Sequence, residues 1–177
     1  MITIVPIGDV SRDVLEVLGC RLEEVFAQGT RLAEGIPLTE EGWNRKRRQY
    51  LAPRLLAGLP RPENVQDRVL GVLEGDIFTP GLNFVFGQAD IPGGRAIIQL
   101  QRLRPEFYGL PRNEELLCER ALTEAVHELG HTYGLMHCSN PKCAMYFSNS
   151  LYDTDIKGWE FCPGCQQQLE KNMAGRV

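Results

Sequence analysis

Residues 127–137 read HELGHTYGLMH, and this segment carries most of the information in the chain. His127 and His131 are four residues apart, which places both imidazoles on one face of a helix, within reach of a single zinc ion. The carboxylate of Glu128 points to the neighbouring edge of that helix, where it can hydrogen-bond a water without taking a coordination position. The spacing therefore predicts two zinc ligands with a general base between them.

A third ligand is expected after the helix ends. Gly134 follows His131 by three residues, and a residue without a Cβ is suited to end a helix in the left-handed conformation. The turn would return His137 to the same metal and leave the fourth tetrahedral position open, as in catalytic zinc sites. If the three histidines of the chain were unrelated, about one random arrangement in 5,000 would show this spacing.

Four of the six cysteines fall in two short-spaced pairs beyond the third histidine. These pairs are Cys138 with Cys143, and Cys162 with Cys165. Each pair can form one knuckle of a closed four-thiolate zinc site. The competing interpretations are two disulfides, which a reducing compartment disfavours, and free buried thiols. Cys20 and Cys118 lie within helical patterns, and we expect them to be small core residues.

The complete pattern of residues 127–137 resembles the long zinc signature of the metzincin peptidases. Those enzymes carry a methionine in a tight turn beneath the zinc, and Met145 is the candidate here, although a methionine alone is more often ordinary core. The cysteine positions resemble the archaemetzincins in particular, over about Asn113 to Cys165. This resemblance implies a five-stranded twisted sheet backed by two long helices, an active-site cleft, and a tetrathiolate zinc beside the catalytic one.

The rest of the chain predicts a sheet with a few helices, and the resemblance implies that this is a zincin-like α+β fold with a twisted mixed sheet of about five strands. Strands are expected at 2–7, 31–38, 69–73, 83–88 and 95–103, the last two forming a hairpin. Helices are expected at 14–26, 43–56, 113–133 and 166–172, with Asn113 as the N-cap of the third. We expect one domain over 1–177, with subdomain 1–134 ending in the active-site helix. Subdomain 135–177 would hold the Met-turn and the second zinc in otherwise irregular chain.

Composition indicates a folded, water-soluble protein, because 43% of its 177 residues are hydrophobic and 24% are charged. Residues 1–7 are interpreted as a strand and not a signal peptide, and no apolar run spans a bilayer, so a cytoplasmic location is expected. The net charge of −4 gives no general reason to expect nucleic acid or anionic membrane as a partner. The basic run Arg45–Arg48 is interpreted as a solvated helix face rather than a nucleic-acid site.

These features together predict a monomeric zinc metallopeptidase that acts on a peptide or protein substrate and holds two zinc ions, one catalytic and one structural. Glu128 would take a proton from the attacking water and later deliver it to the leaving amine. The segment 83–88 is the candidate for pairing with an extended substrate. Tyr146 either assists or packs in the wall. The alternative is a two-zinc peptide- or protein-binding module with vestigial catalysis, against which the presence of Glu128 argues.

Overall fold

The computed structural model describes residues 1–175, in which the strands lie in the first 99 residues, interspersed with two helices, and three further helices follow. The strands are β1 (Ile2–Ile7), β2 (Thr30–Leu32), β3 (Trp43–Asn44), β4 (Gln49–Leu51), β5 (Arg68–Leu73), β6 (Ile77–Phe78), β7 (Gly87–Asp90) and β8 (Arg95–Gln99). The helices are α1 (Arg12–Phe26), α2 (Ala52–Gly58), α3 (Glu114–Thr132), α4 (Leu151–Lys157) and α5 (Pro163–Ala174).

The main sheet has five strands in the order β2-β1-β5-β8-β7. The first four are parallel, whereas β7 runs antiparallel to β8 and forms one edge. All six residues of β5 are buried, as expected for a central parallel strand that is covered on both faces. The expected twisted mixed sheet of five strands is therefore confirmed, as is the hairpin that joins β7 to β8.

Helices cover both faces of this sheet and divide the core in two. On one face α1 packs against α3, and Leu22, Phe26 and Leu122 belong to the larger core cluster. On the other face α2 buries Leu56 in a smaller cluster with Ile97 of β8. Because α3 lies across β7 and β8, the end of this helix is held next to the antiparallel edge strand.

The expected helix over residues 43–56 is wrong in its first half. Strands β3 and β4 pair as an antiparallel hairpin whose connection carries Arg45–Arg48, and helix α2 begins only at Ala52. Trp43 and Tyr50 are a cross-strand pair with ring centroids 4.6 Å apart. Their contact stabilises two very short strands, which explains why a hairpin forms where a helix was expected. Strand β4 also pairs with β6 to complete a second, three-stranded sheet.

Other differences concern element boundaries and one missed helix. The strand expected at 31–38 is shortened to β2, and the strand expected at 83–88 begins only at Gly87. Helix α4 was not predicted, although Ser150 and Asp153 form a capping box that marks its start. Cys20 is exposed and is not a core residue, whereas Cys118 is partly buried. No helix within residues 1–175 has the length and apolarity needed to cross a membrane.

Candidate active site

The last turns of α3 bring His127 and His131 together, with their Nε2 atoms 3.2 Å apart. The Nδ1 atom of His127 lies 2.7 Å from the carbonyl oxygen of Ala144, and that of His131 lies 2.8 Å from the carbonyl oxygen of Leu135. A carbonyl oxygen only accepts hydrogen bonds, so each Nδ1 carries the proton and each Nε2 presents a lone pair. Two lone pairs that face each other at this distance suit a cation between them.

The spacing of these nitrogens fits zinc. Tetrahedral coordination with Zn–N bonds of about 2.0–2.1 Å separates two ligand nitrogens by roughly 3.3 Å. The observed 3.2 Å between His127 and His131 matches that value. Burial lowers the pKa of His127 well below its usual range and also lowers the pKa of His131, so both rings are neutral, as metal ligands must be.

The turn after α3 delivers the third imidazole. Gly134 has φ 89°, the left-handed conformation expected from the sequence. His137 follows, and its ligand nitrogen lies within 4.8 Å of those of His127 and His131. The ring of Phe147 lies 5.0 Å from the His137 ring and was not singled out in the sequence. The three histidines therefore form one cluster, with His137 on its exposed side.

Glu128 lies in a buried position beside this cluster, with 7% of its surface exposed. Burial is the main reason that its pKa rises to about 8, and the negative charge of Glu124 adds to the effect. Lys157 opposes the rise. The Lys157 ammonium has no exposed side-chain surface, lies 3.2 Å from Glu124 Oε1, and donates to the carbonyl oxygen of Tyr146 at 3.3 Å. Neither Glu124 nor Lys157 was identified from the sequence, because a pair 33 residues apart has no local pattern.

The consecutive residues Cys143, Ala144 and Met145 link the histidine cluster to a cluster of four cysteines, because Ala144 contacts His127 and Cys143 is one of the four. The N–H of Tyr146 donates to the carbonyl oxygen of Cys143, which closes a tight turn around Ala144 and Met145. Within this turn, the Ala144 carbonyl orients His127 and Met145 is completely buried. A Cβ on Gly130 of α3 would lie 2.5 Å from Met145 Sδ, so the glycine allows the methionine to approach the helix closely. Met145 therefore occupies the position expected of the Met-turn.

The thiols of Cys138, Cys143, Cys162 and Cys165 form the second cluster, with all four sulfurs within 4.8 Å of one another. The Cys138 and Cys162 sulfurs are 3.8 Å apart, far beyond a disulfide bond, and close to the roughly 3.8 Å that two sulfurs on one tetrahedral zinc would have. Backbone N–H groups of Asn140 and Cys162 donate to the sulfurs of Cys138 and Cys143. The backbone N–H of Cys165 lowers the pKa of Cys162 to about 7, which favours a thiolate there.

A cleft of about 220 Å³ lies beside the histidine cluster. Glu124, His127 and Glu128 of α3 line one side, residues 82–87 line a second, and residues 147–149 line a third. Gly87, at the start of the edge strand, approaches the carboxylate so closely that a Cβ there would lie 2.5 Å from Glu128 Cγ. The sequence pattern did not identify Gly87, since its contact with Glu128 depends on the docking of α3 against β7.

A mixed sheet with an antiparallel edge strand, three imidazoles at the end of a helix and a carboxylate between two of them define the class as a zinc metallopeptidase. Comparison with protein families matches residues 8–171 to Peptidase family M54. The chain belongs to this family, whose curated relatives here are archaemetzincins.

Two curated relatives show how much of the chain is shared. The archaemetzincin of Pyrococcus abyssi is 50% identical over 181 residues, which cover 98% of this chain and 96% of the relative. The archaemetzincin of Methanocaldococcus jannaschii is 47% identical over 169 residues, which cover 96% and 92%. The resemblance to archaemetzincins is therefore confirmed along nearly the whole chain.

Solved structures agree with the fold. The archaemetzincin of Archaeoglobus fulgidus, complexed with malonate, superposes with a TM-score of 0.83 at 36% identity, covering 95% of this chain and 99% of that one. A zinc-dependent peptidase from Methanocorpusculum labreanum gives a TM-score of 0.87 at 29% identity, covering 96% and 100%. The protein is therefore a zinc metallopeptidase with the metzincin-like α+β fold, and its substrates are peptides or proteins.

Proposed function

We propose that this chain hydrolyses peptide bonds with a catalytic zinc held by His127, His131 and His137, and with Glu128 as the general base. The observation that carries the proposal is the pair of Nε2 lone pairs that face each other at 3.2 Å beside the buried Glu128 carboxylate. The three nitrogens come from one chain, which supports a monomer as the working unit.

Zinc bound at these nitrogens supplies a Lewis acid that lowers the pKa of a water to about 7 and polarises a carbonyl. Glu128 accepts the proton of the attacking water and returns it to the amine that leaves. Its pKa of about 8 without metal means that the carboxyl holds a proton readily in this pocket. A divalent cation at the histidines would lower that pKa, toward the pH near 7 at which a general base and acid is most effective.

We further propose a second, structural zinc held by Cys138, Cys143, Cys162 and Cys165, giving two zinc ions per chain. Four thiolates leave no open coordination position, so this metal would hold polypeptide segments together instead of reacting. It would join the chain after α3, the turn at Met145 and the start of α5. This supports a division into subdomain 1–134 and a zinc-stabilised subdomain 135–177.

An extended peptide is proposed to lie along residues 82–87 and to continue beside β7. This strand forms the edge of the main sheet, so one of its sides is available for pairing with a substrate backbone. The cleft places that edge beside Glu128 and His127, where the scissile carbonyl must arrive. Phe84, Phe86 and Phe147 supply apolar surface for substrate side chains.

The test is the Glu128→Ala variant, assayed on a fluorogenic peptide library beside the wild-type protein. Because Glu128 is proposed not to bind the metal, the variant should keep its zinc and its fold and lose hydrolysis. Equal hydrolysis by variant and wild type would contradict the role of Glu128. Loss of zinc would make Glu128 a ligand, and binding without cleavage by wild type would favour a binding module.

A further inference from the structure

The side of the cleft formed by residues 82–86, called the cleft wall below, lies outside both sheets. Two backbone hydrogen bonds join it to strands, from the Val85 N–H to the Ile77 oxygen at 3.0 Å and from the Gln99 N–H to the Phe86 oxygen at 2.9 Å, and side chains hold further carbonyl groups. Arg47 is the first of these side chains. Its Nη2 donates to the carbonyl oxygens of Leu82 and Asn83, both at 2.9 Å, and its guanidinium lies 4.3 Å from the centre of the Phe78 ring. Arg47 belongs to the basic run 45–48, so one member of that run is committed to the cleft.

Two glutamines also donate to carbonyl groups of the cleft wall. Gln49 Nε2 donates to the Asn83 oxygen at 2.9 Å, and Gln99 Nε2 donates to the Val85 oxygen at 2.9 Å. The same two nitrogens also donate to the carboxylate of Asp76, at 3.1 and 3.2 Å. Each amide therefore bridges one buried carboxylate to the backbone of the wall.

The orientation of both amides is fixed by their oxygens. Gln49 Oε1 accepts from Arg47 Nε at 2.9 Å, and Gln99 Oε1 accepts from the backbone N–H of Arg102 at 3.0 Å. If either amide were rotated, its oxygen would face a backbone carbonyl oxygen and a carboxylate oxygen, so only one orientation is consistent with the surrounding groups. The glutamines are thus obligatory donors toward the wall.

Asp76 is the centre of this network and is held by Arg102. The guanidinium donates from Nε and Nη2 to the two carboxylate oxygens, both at 2.7 Å, and lies 4.3 Å from the centre of the Phe84 ring. Asp76 is buried, and these donors compensate for the water that its carboxylate has lost. Phe84 lines the cleft, so Arg102 contacts the cleft wall directly.

We propose that Arg47, Gln49 and Gln99, organised around Asp76, are positioning residues that fix the cleft wall for substrate binding. This inference rests on the proposed function of the cleft. The wall leads directly into Gly87, which touches Glu128, so fixing the wall also fixes the distance between bound peptide and base. Hydrogen bonds from side chains add to the two backbone hydrogen bonds that join Val85 and Phe86 to β6 and β8, and the wall is ordered before a substrate arrives.

Arg47 offers the sharpest test because the chain contains a matched control. Arg47→Gln removes the donors to Leu82 and Asn83 from an exposed residue, so the fold should persist. Arg45→Gln removes the same charge from the same run. Among residues 1–175, Arg45 pairs only with Glu40, at 3.7 Å, and both side chains are 84% exposed.

Two measurements are made on each variant: amide hydrogen exchange of residues 82–87 by mass spectrometry, and kcat and KM on the fluorogenic peptide library. Loss of charged hydrogen bonds should raise the exchange rate and KM about tenfold in Arg47→Gln, with zinc content unchanged and kcat altered less than KM. Arg45→Gln should remain within about twofold of wild type in every quantity. Gln49→Leu should reproduce the Arg47→Gln effect from inside the network.

Equal exchange rates and equal KM in Arg47→Gln and Arg45→Gln would overturn the inference. A fall in kcat alone, with the exchange of residues 82–87 unchanged, would also overturn it. Hydrogen exchange requires neither zinc nor substrate. If wild type cleaved no peptide, the proposed function would fail, whereas the exchange comparison would still decide whether this network orders the wall.

Discussion

Replacing Gly87 with alanine should impair catalysis without altering any reacting group. An alanine Cβ would lie 2.5 Å from Glu128 Cγ, 2.9 Å from its Oε1, and 2.8 Å from the carbonyl oxygen of Ile97. Carbon atoms normally approach to about 3.5–4.0 Å, so the contact is short by about 1 Å. The Ile97 carbonyl belongs to the backbone of β8 and yields little, which leaves the Glu128 side chain to move.

The expected magnitude follows from that displacement. Misplacing a catalytic group by about 1 Å can reduce the rate by about 100-fold, and overpacking a buried site typically costs about 1–3 kcal/mol of stability. We therefore expect kcat of Gly87→Ala to fall by one to two orders of magnitude, with the zinc content of the wild type. The assay combines peptide hydrolysis, elemental analysis of zinc and thermal unfolding.

Gly58→Ala is the control, because a Cβ at Gly58 has no atom within 4 Å. This variant should match wild type in both activity and zinc content. If Gly87→Ala retained wild-type kcat, then either Gly87 does not approach Glu128 as described or Glu128 is not needed for turnover. Either result would refute the reasoning.

Three further predictions concern the histidine turn, the buried ion pair and the proton on the base. Gly134→Val should weaken binding of the proposed catalytic zinc about tenfold in a chelator competition, because φ 89° costs a β-branched residue roughly 1–2 kcal/mol. Lys157→Met leaves Glu124 buried without its ammonium and should lower the melting temperature by about 10 °C or more, with partial recovery when Glu124 is also replaced by Gln. In the metal-free protein, folding raises the pKa of Glu128 from 4.5 to about 8. Between these pH values the carboxyl is ionised in the unfolded chain but protonated in the folded one. The stability it contributes should therefore be present at low pH and be lost as pH rises through about 8, by up to ~1.4 kcal/mol per unit, and Glu128→Gln should flatten this slope in thermal melts.

Local patterns in the sequence were sufficient to predict both clusters of metal-ligand residues. The histidine spacing, the N-cap at Asn113 and the left-handed Gly134 all depend on neighbours within a few residues, and the structure places each as expected. The four cysteines of the second cluster were recognisable for the same reason, because each pair is closely spaced.

The environment of the site was not readable, because it is assembled from distant segments. Asp76 meets Gln49, 27 positions away, and Gln99, 23 positions away, through contacts that no periodicity encodes. Strands of two or three residues, such as β3 and β4, are too short to show an alternating pattern. The role of Arg47 was missed because a run of basic residues resembles a solvated face whichever way its members point.

Two zinc ions are proposed to occupy defined places in this chain. The most direct measurement is an anomalous difference map, recorded at the zinc absorption edge from crystals of the purified protein. We expect two peaks, one about 2.0–2.1 Å from Nε2 of His127 and His131 and bound by His137, the other about 2.3 Å from four cysteine sulfurs, with Glu128 outside both coordination spheres. A single peak, no density among the histidines, or a peak bonded to the Glu128 carboxylate would contradict the proposed arrangement.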